Sequence, residues 1–181
     1  LSDDQRTLLS SFTREMKVLV SAGAWTAYDA DYLRKCAEDK APEFGYIEIQ
    51  NVTTQYGVFA LAGPNSRKIL AELIRDADPE TALSNKRFPW LSAKQIELGM
   101  CPVNAIRVAY TGELGWELHH PMEMQNYLWD LLLKEGEEFG LKLVGARAQN
   151  WLRQEKSYRA FGNELGRDAT PAEADLPRFI D

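Results

Sequence analysis

The short segment from Tyr110 to His120 gathers several side chains able to do chemistry: Tyr110, Glu117, His119 and His120. Read by itself, Glu117 is a strand carboxylate. Tyr110 brings a ring for stacking and a hydroxyl for a hydrogen bond. His119 and His120 are the only histidines. Neighbours on a strand point to opposite faces, so the two cannot easily share a metal, and no metal site is expected. Generic catalytic signatures are absent: the sequence has no Gly-x-Gly-x-x-Gly, no P-loop and no Gly-x-Ser-x-Gly elbow.

The elements that must position these residues interleave helices with hairpins. Residues 7–13 and 17–22 read as short strands joined tightly at Arg14-Glu15-Met16. Asp29 stands as a cap before a helix over about 30–39, with Tyr32, Leu33, Cys36 and Ala37 on one face. Residues 46–52 alternate like a half-buried strand, and 58–62 form an apolar run, as in a central strand. Gly63-Pro64-Asn65-Ser66 breaks that run and opens a helix with Ile69, Leu70, Leu73 and Ile74 on its face. Residues 76–95, with Pro79 and Pro89, read as irregular. Two strands near 103–110 and 115–119 flank the turn Thr111-Gly112-Glu113-Leu114. An amphipathic helix over about 123–139 turns Met124, Leu128, Leu131, Leu132 and Phe139 inward and ends at Gly140. A last helix runs over about 146–159 and stops near Gly162. The order ββαββα then ββαα argues for an α+β fold with antiparallel sheet.

Composition narrows the function classes. The 181 residues, 45% hydrophobic and 27% charged, suit one globular domain with a real core. A net charge of −6 and the lack of a Lys/Arg run leave no footprint for nucleic acid. No apolar stretch approaches the roughly 20 residues of a membrane span, and the polar start is no signal peptide. Cys36 and Cys101 form no Cys-x-x-Cys pair and read as reduced core thiols. The chain starts with Leu1 and ends in Pro177-Arg178-Phe179-Ile180-Asp181 with no closing element, as a piece of something longer would.

Four peptides carry a resemblance. Ile106-Arg107-Val108-Ala109-Tyr110-Thr111-Gly112-Glu113-Leu114-Gly115-Trp116-Glu117-Leu118-His119 resembles the Y-T-G-E-x-G-x-E signature of the glycine-cleavage T-protein (aminomethyltransferase) family. Its Glu-Leu-Gly-Trp-Glu-Leu form looks like the dimethylglycine and sarcosine dehydrogenase branch. Ala60-Leu61-Ala62-Gly63-Pro64-Asn65-Ser66-Arg67 resembles that family's strand-to-helix junction. Leu152-Arg153-Gln154-Glu155-Lys156-Ser157-Tyr158-Arg159-Ala160-Phe161-Gly162 resembles L-R-x-E-K-x-Y-R-x-W-G, and Thr170-Pro171-Ala172-Glu173-Ala174 resembles T-P-x-E-A. The resemblance covers nearly the whole chain. It implies that residues 1–181 are a partial folate-binding domain, lacking a first half-domain and a C-terminal barrel.

The same resemblance implies a site. Tetrahydrofolate is the expected cofactor. Glu117 matches the pterin-binding glutamate, Tyr110 lies where the family has its tyrosine, and Leu118 and His119 follow in the strand. Ser11-Phe12-Thr13 matches a D-L-T or E-L-T tripeptide, so Ser11 stands in the place of the family's proton-transfer carboxylate; Glu15 is a second candidate for that role. Gln149 takes the place of an arginine of the T-protein branch, with Arg147 out of register. The expected partners are folate, a one-carbon donor derived from a small methylamine, and a flavin domain of the same parent chain. FAD would belong to that domain, not to this segment. The implied activity is capture of a one-carbon unit from an N-methylated glycine as 5,10-methylenetetrahydrofolate. A stand-alone aminomethyltransferase or folate-dependent demethylase, and a non-catalytic binding relic, remain alternatives. The expected location is bacterial cytoplasm or mitochondrial matrix.

Overall fold

The computed structural model describes residues 19–21, 23–166 and 168–176 and divides the chain into two units, Leu1–Asn51 and Val52–Asp181. In the first, helix α1 (Thr26–Phe44) is entered through a 3₁₀ turn at Gly23–Trp25. It is longer at both ends than 30–39, and Asp29 lies in its first turn instead of capping it. Its Ala, Lys, Glu and Arg content favours a helix. Lys35 and Asp31 pair across one turn at 2.8 Å. None of its residues is buried, so Cys36, half-buried, is not the core thiol expected. Residues 45–52 are irregular instead of the strand their alternation suggests. No strand pairs with them among the described residues, and alternation without a partner does not make a strand. The strands expected over 7–13 and 17–22 lie outside the described residues, save 19–21, which are irregular.

The second unit is built on a four-stranded antiparallel sheet of order β1-β4-β3-β2. Its strands are β1 (Tyr56–Ala62), β2 (Ala93–Leu98), β3 (Cys101–Ile106) and β4 (Gly115–Pro121). Helices α2 (Ser66–Leu73), α3 (Pro79–Ala82), α4 (Gln125–Gly136) and α5 (Ala146–Glu155) complete it. The α+β expectation holds. One sheet face forms the core: Leu61, Leu98, Val103, Ala105, Trp116 and Leu118 are buried with Ile69, Leu70 and Leu73 of α2 and Leu128 and Leu132 of α4. Each fully buried leucine contributes about 2 kcal/mol of hydrophobic stabilisation. Cys101 joins this core, and burial pushes its thiol pKa up. The expected inward faces of the helices at Ile69, Leu70, Leu73 and at Leu128, Leu132 are confirmed.

Four elements of this unit differ from the sequence reading. Segment 76–95 is not irregular throughout. Asp78 caps α3 by accepting from Thr81 N at 3.2 Å, with Pro79 in the first turn, and Leu83 and Phe88 enter the core. Its last residues form β2, which is the hairpin partner of β3. The strand expected near 103–110 is β3, which ends at Ile106; its register with β4 covers only Asn104–Ile106, because Arg107 N turns away to bond Ser92 O at 2.9 Å. Pro102 has no N–H, and it sits outside that register. The helix expected over 123–139 is a 3₁₀ turn at Met122–Met124 followed by α4, and Gly140 closes the turn after it at φ 75°. The helix expected over 146–159 ends at Glu155, because Tyr158 N bonds back to Arg153 O at 2.9 Å.

Candidate functional site

The register of β4 sorts its side chains. Trp116, Leu118 and His120 point into the core, while Glu117 and His119 point to the other face. The two histidines are therefore separated by the sheet, as their adjacency implies. On the second face Glu117 lies across from Ala60 of β1 and Ile106 of β3, and His119 across from Val58 and Asn104. Val58 is 48% exposed, and Ala60 and Asn104 are exposed as well. Glu117 thus stands on an accessible, largely apolar sheet surface. Its Oε2 accepts from His119 Nε2 at 3.2 Å, and Oε1 has no protein partner among the described residues. His119 is held down at 11% side-chain exposure and steadies one oxygen of the carboxylate.

Gly115, which starts β4, permits its close pairing with β1. An added Cβ would lie 2.8 Å from Leu61 O and 2.9 Å from the Ala109 side chain. Upstream, Gly63 N donates to Leu114 O at 2.7 Å, and Ser66 Oγ donates to Gly63 O at 2.7 Å and Leu114 O at 3.1 Å. The Gly-Pro-Asn-Ser junction is thereby tied to the Thr-Gly-Glu-Leu turn. Downstream, Tyr110 OH donates to Arg159 O at 2.7 Å, and its ring stacks on Tyr158 at 6.3 Å. Burial pushes the Tyr110 hydroxyl pKa up. Lys156 lies against Gly112 and pairs with Glu113 at 3.7 Å.

Arg153, only 1% exposed, anchors that downstream segment. Its Nε donates to Asn150 Oδ1 at 2.8 Å, and Nη1 donates to Tyr158 O at 2.6 Å and Glu164 Oε2 at 2.9 Å. Nη2 completes the fork on Glu164 Oε1 at 3.2 Å. Ala160 N donates to Glu164 Oε2 at 2.8 Å; that bond, and then Arg153, hold the Glu164 carboxyl below its ordinary value. In the last motif Thr170 N and Oγ1 both donate to Glu173 Oε2 at 2.8 Å, and Glu173 N donates to Thr170 Oγ1 at 3.3 Å, a reciprocal capping box.

The model of the family described as GCVT N-terminal domain matches residues 7–181. The chain belongs to the GCVT N-terminal domain family. It is 42% identical over 144 residues to human mitochondrial dimethylglycine dehydrogenase, a match covering 79% of this chain and 16% of that protein. It is 38% identical over 135 residues to the aminomethyltransferase of Caldanaerobacter subterraneus subsp. tengcongensis, covering 74% of this chain and 34% of that protein. A match to the aminomethyltransferase of Desulfitobacterium hafniense, 31% identical over 174 residues, covers 96% of this chain and 44% of that protein. The chain thus spans between about a sixth and under half the length of these relatives.

GCVT domains bind folate and serve folate-dependent one-carbon transfer. The chemistry of the surface around Glu117 suits such a group: a carboxylate with one unpaired oxygen, set among small apolar neighbours, matches the edge and face of a flat heterocycle. Of the residues expected at the site, the fold brings Glu117 and His119 together. Leu118 points into the core, and its carbonyl accepts from His120 Nδ1 at 2.9 Å. Tyr110 belongs to the Arg159–Tyr158 cluster. Gln149 sits half-buried in the first turns of α5. Ser11, Phe12, Thr13 and Glu15 lie outside the described residues. Sequence reading missed Asn150 and Glu164 as partners of Arg153, since nothing local marks a pairing across a turn. Among the described residues, no helix is long and apolar enough to cross a membrane, and no metal-binding group of side chains occurs.

Proposed function

We propose that this chain is the tetrahydrofolate-binding portion of a dimethylglycine or sarcosine dehydrogenase-like oxidoreductase. In this reading it accepts a one-carbon unit from an N-methylated glycine to give 5,10-methylenetetrahydrofolate. The observation that carries the proposal is Glu117, steadied by His119 and presenting Oε1 on an accessible sheet face. That carboxylate would accept the pterin ring N–H and amino hydrogens in a two-point contact. Tyr110, with its hydroxyl on Arg159 O and one ring face on Tyr158, would have only its other face to offer a ligand, and Leu118 would contribute backbone only.

When bound, folate supplies the nitrogens that take the one-carbon unit. The part of this chain is to bind and orient it, and the flavin chemistry would reside elsewhere in the parent protein. Ser11 at the position of the family's carboxylate offers a hydrogen bond but no negative charge near neutral pH. The 42% identity to a protein named dimethylglycine dehydrogenase supports this reading over a stand-alone aminomethyltransferase. Ser11 and Gln149 motivate the third reading, a binding relic without transfer.

The test is calorimetric titration of tetrahydrofolate into the chain and into its Glu117→Ala variant. Binding that the substitution abolishes supports the pterin contact. Equal binding by the two proteins refutes it. A one-carbon transfer assay on the same samples separates catalysis from mere binding.

A further inference from the structure

Arg67 opens α2, and Arg107 follows β3. Their side chains meet at one end of the helix-packed sheet face. Each donates an Nη2 hydrogen to the same acceptor, Asn85 Oδ1, at 2.6 and 2.8 Å. Each guanidinium also lies over the Trp116 ring, with Arg67 Cζ at 6.0 Å and Arg107 Cζ at 5.8 Å from its centroid. Arg107 Nη1 donates to Phe88 O. Among the described residues, neither arginine has a carboxylate in ion-pair range, and Arg67 Nε is enclosed with no acceptor. Phe88, whose carbonyl takes the Arg107 donor, has its ring 6.1 Å from that of Trp116 and carries Lys94 Nζ at 5.2 Å from its own centroid. Lys86 and Arg87 follow Asn85 in the chain and are exposed.

Two adjacent guanidiniums on an apolar floor are costly without a counter-charge, since both are partly desolvated and repel each other. Burial and the neighbouring Arg67 lower the Arg107 pKa accordingly. Asn85 Oδ1, Phe88 O and the Trp116 ring are all neutral, and none supplies a counter-charge to the two guanidiniums. A guanidinium offers donors in a rigid fork that matches an oxyanion, and two side by side match an anion with several oxygens.

We propose that Arg67 and Arg107 form a binding site for a small oxyanion, a phosphoryl or carboxylate group, seated against the two guanidiniums beside Asn85. The site is separate from Glu117, which points to the opposite sheet face, and it does not depend on the folate reading.

The test follows the Nε–H signals of the two arginines by NMR in the ¹⁵N-labelled full chain, titrated with inorganic phosphate and separately with tri-glutamate. The expected result is a saturable shift of both signals with at least one of them. Arg67→Gln and Arg107→Gln should each weaken that binding about tenfold or more, the loss of one charge-assisted pair. Glu117→Ala should leave it unchanged. A response to phosphate alone identifies a phosphoryl ligand, and one to tri-glutamate alone a carboxylate ligand. Absence of a saturable shift with both probes overturns the proposal. So does a folded Arg67→Gln chain that binds as tightly as the parent. Arg67 is only half-buried, so this variant decides the matter even if Arg107→Gln fails to fold.

Discussion

His119 Nε2 lies 3.2 Å from Glu117 Oε2, two residues along the same strand and on the same sheet face. The pair places a half-buried imidazole behind a more exposed carboxylate, at 11% against 34% side-chain exposure. The imidazole holds the carboxylate in one rotamer at little cost, because the strand already fixes both backbones. His119→Ala should therefore weaken tetrahydrofolate binding by less than Glu117→Ala, by about threefold to tenfold for one lost hydrogen bond. Calorimetry on both variants and the double variant checks this. If the two losses simply add, the histidine does not act through the glutamate.

Leu118 separates packing from binding. Its side chain is fully buried in the core between Glu117 and His119. Leu118→Ala should cost about 2–5 kcal/mol of stability. Folate affinity of the folded fraction should change far less than in Glu117→Ala. Urea unfolding combined with titration well below the midpoint distinguishes the two effects.

Glu164 sets an acid limit. Its folded pKa is depressed below 4.5, first by Ala160 N and then by Arg153. A carboxyl with a depressed folded pKa contributes stability that is complete above its unfolded value and is lost as pH falls through the folded one. Melting temperature should therefore drop as pH is lowered from about 4.5. Glu164→Gln should lower it near neutral pH and flatten that acid limb. An unchanged slope in the variant would remove Glu164 from the account.

Arg153→Met tests the other side of the same contact. Removing the buried guanidinium takes the donor from Tyr158 O and Asn150 Oδ1 and leaves Glu164 with Ala160 N alone. A loss of about 1–3 kcal/mol is expected from the buried acceptors left unsatisfied, with little from the exposed Glu164 side of the pair. Thermal unfolding measures it directly, and a loss below about 1 kcal/mol would mean that water replaces the arginine.

Gly112 holds φ 69° in the turn before β4, with the Lys156 side chain packed where a Cβ would go. Gly112→Ala should destabilise by about 1 kcal/mol or more, through left-handed strain and displacement of Lys156 from Glu113. The readouts are the melting temperature and the amide shifts of Glu113 and Lys156.

Several features of this protein were readable from its residues alone. The apolar spacing of Ile69, Leu70 and Leu73, and of Leu128 and Leu132, specified two helices by a period that any amphipathic helix must obey. The alternation of β4 specified that Glu117 and His119 share a face and that His120 does not. The four motifs specified the family. What sequence did not reveal was pairing. Residues 46–52 alternate as well as β4 does, yet they remain irregular, and 93–98 form an edge strand that Pro79 and Pro89 had hidden. Strand pairing and charge contacts depend on segments far apart in the chain, which local periodicity cannot report. Arg153 with Glu164, and Arg67 with Arg107 on Asn85, exist only because folding delivers their backbones to the same place. Residue types and spacing determined what the side chains can do; tertiary structure decided which of them meet.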